Sequence, residues 1–167
     1  MLAKTGAISV KIGAAKALIL ACLAVPLIAT AADSALIAAS DLRSEAAEAA
    51  TRGQPLLILY SRQNCPYCEE VRKSWLLPLS RDSQKSGLKV RQIDQDSDQP
   101  LIDFAGQATT HARFTAAQKV AFVPVVSVYG PHAQVLAEPI VGLRLRDFYG
   151  AYLQAQIDEA RARLRPY

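Results

Sequence analysis

Cysteine is scarce in this chain, with three in 167 residues, at positions 22, 65 and 68. A disulfide framework would show several pairs at long separations, and three cysteines supply at most one pair. Histidine is as rare: His111 and His132 stand alone, one in a long connection and one in a turn, and read as surface or cap residues. The single methionine is the first residue, so no thioether ligand lies further along the chain. Acidic residues are absent before Asp33, and the apolar run from Ala17 to Ala29 is shorter than the roughly 17 to 25 residues of a spanning helix. Internal repeats, low-complexity tracts and Gly/Ser linkers are also missing, which leaves no point at which to divide the body of the chain.

What stands at the N-terminus is a lysine-bearing stretch, an apolar run and a small-x-small site at Ala29-Thr30-Ala31. This is the layout of a secretory signal peptide over residues 1–31, cleaved near Ala31, followed by one domain over 33–167. The alternative is an uncleaved anchor in the inner membrane, with Lys16 close enough to the run to snorkel. A lipoprotein signal at Cys22 fits less well because the apolar run continues past it. Without Lys4, Lys11 and Lys16, 16 basic residues face 15 acidic ones, a net charge of about +1. The basicity thus belongs to targeting and implies no nucleic-acid partner. The segment also takes Cys22, leaving Cys65 and Cys68 in a body of about 135 residues, enough for one core.

Along that body, Asp33 to Gly53 is alanine-rich with a glycine stop and predicts a helix. Pro55 to Tyr60 is continuously apolar and predicts a buried strand. Val71, Trp75 and Leu79 repeat at helical spacing after the cysteines, with Pro78 kinking or ending the helix. GLKVRQID alternates as a second strand, and Leu101 to Phe122 predicts a helical connection in one or two pieces. FVPVVSVY reads as a strand opening on Pro124, GPHAQ as a hairpin turn and VLAEPIVG as an edge strand. Tyr149, Leu153, Ile157, Ala160 and Leu164 then mark one face of a last helix. Two parallel strands joined by a crossover helix, then a hairpin, make an α/β fold with a mixed sheet flanked by helices.

The stretch NCPYCEE places Cys65 where a buried strand meets a helix. Backbone N–H groups and the positive end of the helix macrodipole favour a thiolate there, with pKa values of roughly 3.5 to 7.5 for helix-terminal CxxC cysteines. Pro66 suits the first helical position, where a missing N–H costs nothing. Tyr67 lies exposed between the cysteines, where it can face a substrate. Cys68, nearly one turn on, faces inward yet reaches the Cys65 sulfur, so Cys65 is the attacking thiolate and Cys68 the resolving thiol.

In this order, a strand, CPYC, a helix, a proline-initiated strand at Val123-Pro124-Val125, a hairpin and Val141-Gly142 before a last helix resemble the thioredoxin superfamily over roughly Pro55 to Ile157. The resemblance implies a thioredoxin-like fold with a four- to five-stranded mixed sheet, a redox-active Cys65–Cys68 disulfide, a cis Pro124 packed against the CxxC, and Val123 as a substrate-contacting position. Departures bear on function. Thioredoxins proper carry an aspartate six residues before the first cysteine, and Leu59 stands there. CPYC is typical of glutaredoxins, but GLRLRD replaces their glycine-glycine and aspartate pattern, which argues against a glutathione-specific role. The large helical insertion of the DsbA-type oxidases is absent.

The reading is a monomeric periplasmic thiol-disulfide oxidoreductase without a cofactor, reducing protein disulfides and fed by a thiol-electron donor in the inner membrane. An oxidase or isomerase, or a copper metallochaperone using the same thiols, is the alternative. Asp94, Asp96 and Asp98 resemble the start of a calcium loop, but Gln99 and Ala105 stand where glycine and a bidentate acid are needed. Arg62 favours a thiolate and Glu69 and Glu70 oppose it, with a sum that sequence does not fix.

Overall fold

The computed structural model describes Met1 and residues 35–165, apart from the Gln84 side chain. The expected signal segment, with Cys22, lies outside the described residues. Continuous apolarity decides the centre of the fold, because a strand buried on both faces needs no polar alternation. Strand β1, Leu56–Ser61, is buried at every position. It pairs in parallel with β2, Lys89–Asp94, and antiparallel with β5, Val125–Tyr129, which carries the short edge strand β6, Ile140–Val141. The order β2-β1-β5-β6 is a mixed four-stranded sheet.

Alternate residues of β1 serve two cores. Leu57 and Leu59 pack with Val71, Leu76, Tyr149, Leu153 and Ile157, which come from the crossover helices and from α6, Tyr149–Leu164. Leu56, Ile58 and Tyr60 pack with Leu42 and Ala46 of α1, Leu42–Ala50, and with Phe114 of α5, His111–Ala117. Helices therefore cover both faces of the sheet, as the apolar pattern requires.

Three expectations need correction. The alanine-rich stretch from Asp33 becomes helical only at Leu42. Ahead of it the chain is extended along β2: the Ala39 N–H donates to the Gln92 carbonyl at 2.9 Å, and the Gln92 N–H donates to that of Ile37 at 3.0 Å. The bare edge of β2 offers backbone partners that outweigh alanine's helix preference, and Asp41 caps the helix instead, its Oδ1 accepting the Ser44 N–H at 2.9 Å.

The connection from Leu101 is helical only in its second half. A hairpin of β3, Pro100–Ile102, and β4, Ala108–Thr110, comes first. Gly106 at φ 82° permits its turn, and Asp103 Oδ1 accepts the Gln107 N–H at 2.8 Å. Nor does His111 lie at the surface. It is fully buried, its Nδ1 accepting the Asp94 N–H at 3.1 Å and its Nε2 donating to the Ala39 carbonyl at 2.9 Å. It staples α5 to β2 and to the N-terminal segment.

The crossover runs through α2, Pro66–Val71, a π-helical turn at Arg72–Leu76, α3, Leu77–Arg81, and α4, Ser83–Ser86. Pro78 lacks the N–H that a regular turn needs, and the widened turn before it absorbs the mismatch, with the Leu77 N–H reaching back to the Arg72 carbonyl. The helix thus passes through Pro78 rather than stopping there.

Candidate active site

Strand β1 delivers the chain to the site. It ends at Ser61, and Asn64 turns the backbone at φ 52°, a left-handed conformation asparagine tolerates better than most residues. Cys65 is the N-cap of α2 and Pro66 its first residue. The Cys68 N–H donates to Cys65 Sγ at 3.2 Å, so one unpaired donor of the helix end points at the first sulfur. The two sulfurs are joined as a disulfide, with Cα atoms 5.2 Å apart. Cys68 is fully buried, Cys65 is half-buried, and Pro66 and Tyr67 are exposed. Chemical access is thus confined to one sulfur of the pair.

Sheet register brings a second segment to the same end. Tyr60 pairs with Val125, so β5 begins where β1 finishes. The Val123–Pro124 peptide just ahead of β5 is cis, and the Pro124 carbonyl accepts the Gly142 N–H at 2.8 Å. Pro124 is buried, and Val123 packs partly buried against the core that holds Tyr60. The CxxC turn, the Pro124 loop and the turn after β6 therefore share one rim of the sheet.

Beside Cys65 a cavity of about 350 Å³ is lined by Arg62, Gln63, Asn64, Glu69, Arg72, Gln92 and Asp94. Ion pairs hold both acids that follow Cys68. Glu69 pairs with Arg72 and, at 2.8 Å, with Lys73, while Glu70 pairs with Arg146 at 3.0 Å. Arg72 Nε also donates to Gln92 Oε1 at 2.7 Å, and Gln92 Nε2 to Asp94 Oδ1 at 2.8 Å. The two acids after Cys68 are thus each paired with a cation, while the helix end and Arg62 both favour a thiolate at Cys65. Spacing along the helix offered Arg72 and Lys73 as partners of Glu69, but Arg146, in a loop 76 residues beyond Glu70, carried no sequence signal.

Beneath the helix, Leu59 is fully buried with Val71, Leu76 and Val126 in an apolar environment. Tyr149 lies in the same cluster, stacked on Trp75 with ring centroids 4.6 Å apart. Burial pushes its hydroxyl pKa up, and that hydroxyl is buried without a hydrogen-bond partner. His132 is exposed in the turn after β5, and Asp96 accepts the Gln63 N–H at 3.0 Å. Among the described residues no group of three or more His, Cys, Asp or Glu is gathered so as to hold a metal ion.

A mixed sheet with this strand order, helices on both faces and a CxxC disulfide at the first helix after the central strand define the thioredoxin fold. Among solved structures, the chain is similar to a thioredoxin-fold protein from Helicobacter pylori, at 13% identity over 66% of this chain and 73% of that one, with a TM-score of 0.50. Further likenesses are to a DsbH oxidoreductase, at 16% identity over 77% and 88% of the two chains and a TM-score of 0.49, and to a poplar thioredoxin h, at 15% over 70% and 95% and 0.48. No protein-family model and no curated protein matches the sequence. At these identities the likeness is one of fold.

Proposed function

We propose that the chain is an exported thiol-disulfide oxidoreductase that reduces protein disulfides in the periplasm. The observation that carries this is the asymmetry of the pair: a reachable Cys65 sulfur at a helix N-terminus, joined to a fully buried Cys68. In the reduced protein the Cys65 thiolate attacks a substrate disulfide, forming a mixed disulfide and releasing one substrate thiolate, which takes up a proton. Cys68 then gives up its proton and attacks the Cys65 sulfur. The second substrate thiol leaves, and the two electrons of the dithiol have passed to the substrate.

With Leu59 apolar, no carboxylate at that position accepts the Cys68 proton, and solvent beside the half-buried Cys65 is the acceptor. Val123 offers backbone to the substrate, Pro124 packs beside the disulfide, and Pro66 and Tyr67 form its exposed face. Reduction is favoured over oxidation because the connection between β2 and β5 holds only a hairpin and the seven residues of α5. Each turnover leaves a disulfide behind, so a thiol donor in the inner membrane must supply electrons. A signal peptide at 1–31 and a monomeric domain over 33–167 complete the reading. Among the described residues no helix is long and apolar enough to cross a membrane.

The test is the reduction potential in glutathione buffers, with Cys65→Ser as control. A value of about −250 mV supports an electron-fed reductase, and one of about −130 mV makes the protein an oxidant or isomerase. Failure to form a reversible Cys65–Cys68 disulfide would sink the redox reading.

A further inference from the structure

The disulfide sits at one end of the sheet, and a larger cavity lies towards the other. Because Tyr60 pairs with Val125 and Leu56 with Tyr129, the turn that leaves β5 stands at the end of β1 away from Cys65. Pro131 and His132 of that turn, Arg43 and Ala47 of α1, and Phe104 of the β3–β4 turn line a cavity of about 410 Å³. Its lining is mostly apolar and carries no acid, whereas the cavity beside Cys65 is polar. Small-molecule sites have this size and character, a largely apolar surface with a few polar groups that fix orientation.

Both turns that wall the cavity are braced. Gln134 accepts the Gly130 N–H at 3.0 Å through its carbonyl and the His132 N–H at 2.8 Å through Oε1. Asp103 holds the hairpin turn in the same way, its carbonyl accepting the Gly106 N–H at 3.0 Å and its Oδ1 the Gln107 N–H. Phe104 is backed by Tyr129 and Phe114, with ring centroids 5.0 and 6.1 Å away. A ligand entering here does not have to order its walls, which lowers the cost of binding. Ala133, also in the lining, has φ 62°, a left-handed conformation in which glycine would rest without strain. A methyl group kept on a strained backbone at a cavity wall points to a role in binding.

Arg43 supplies the charge. A Cβ added to Gly106 would fall 2.4 Å from Arg43 Nη1 and 2.6 Å from its Cζ, so the guanidinium rests on the bare Cα of that glycine. Among the described residues it has neither a hydrogen bond nor an ion pair. We infer that the cavity between α1, the β3–β4 turn and the turn after β5 binds a small amphipathic carboxylate, with its apolar body against Phe104, Pro131 and Ala47 and its acid on Arg43. A guanidinium presents paired N–H donors that match a carboxylate, and the His132 ring stands at the same rim. One unpaired cation balances one negative charge. An ammonium group on the same apolar body would instead meet a like charge. The site is remote from Cys65 and does not depend on the redox reading of the disulfide.

The test titrates the full chain with octanoate and with octylamine, which share an apolar chain and differ in the sign of their charge, and follows backbone amide shifts by NMR. Octanoate should shift the amides of Gly106, His132 and Ala133 saturably and leave that of Cys65 in place. Octylamine should bind at least about tenfold more weakly. Arg43→Gln should weaken octanoate about tenfold, roughly the effect of one charge-assisted hydrogen bond, while Arg43→Lys should keep part of the affinity. Ala47→Trp, which fills the cavity from an exposed helix position, should abolish binding. Amide shifts unchanged outside α1 and the two turns show that each variant is folded. Absence of saturable shifts at the three amides, equal affinity for the two compounds, or undiminished octanoate binding in Arg43→Gln overturns the site.

Discussion

His111 spends both ring nitrogens inside the protein, accepting from Asp94 and donating to Ala39. His111→Ala leaves a buried N–H and a buried carbonyl unpaired and should cost about 2 to 4 kcal/mol in urea unfolding. Sequence could not show this, because the partners lie 17 and 72 residues away and a lone histidine in a connection has no visible neighbours. Tyr60 and Tyr129 make a similar hidden pair, hydroxyl to hydroxyl at 2.8 Å. Burial raises the pKa of both, and for Tyr60 the neighbouring Tyr129 raises it further. Tyr60→Phe alone strands the Tyr129 hydroxyl and should cost about 1 to 3 kcal/mol, whereas Tyr60→Phe/Tyr129→Phe should cost less than either single change, a sign that a double-mutant cycle reads directly. The same pair sets an alkaline limit. A tyrosine whose folded pKa exceeds its unfolded value contributes full stability below about pH 10 and loses it as pH rises towards the folded value. Thermal unfolding temperatures should therefore fall above about pH 10, less steeply in the double phenylalanine variant.

At the level of elements, the most legible were those whose burial is one-sided or complete. The run Leu56 to Tyr60 is apolar throughout and becomes the central strand, and the 3.6-residue repeat from Tyr149 becomes α6, with Tyr149, Leu153, Ile157 and Ala160 buried. The elements misread are those in which a backbone partner elsewhere overrides local preference. Asp41, a good N-cap, marked the true start of α1, and Asp41→Ala should cost about 1 kcal/mol, measured by chemical unfolding. Gly106 marked the hairpin between β3 and β4. Gly106→Val forces a branched side chain into φ 82° and brings its Cβ within 2.4 Å of Arg43 Nη1, so a loss of about 1 to 2 kcal/mol is expected. The redox motif was legible from Cys65, Pro66 and Cys68 because its chemistry is local. The matching of Glu70 by Arg146 was not, because only the fold brings the loop before α6 to α2.

Across the whole molecule, the sheet has two unequal edges. At one, β6 is two residues long, too short to template another strand. At the other, β2 would be open for six residues but for the segment ahead of α1, bonded through Ile37 and Ala39 to Gln92. Deleting residues 35–40 should leave the Cys65–Cys68 couple in place and raise self-association, visible in light scattering at rising concentration. That cover also has a place in time. Ile37 and Ala39 precede Gln92 along the chain, so during synthesis the shield has left the ribosome before the edge it protects exists. A newly made β2 finds its own chain waiting and has no interval in which to pair with a stranger.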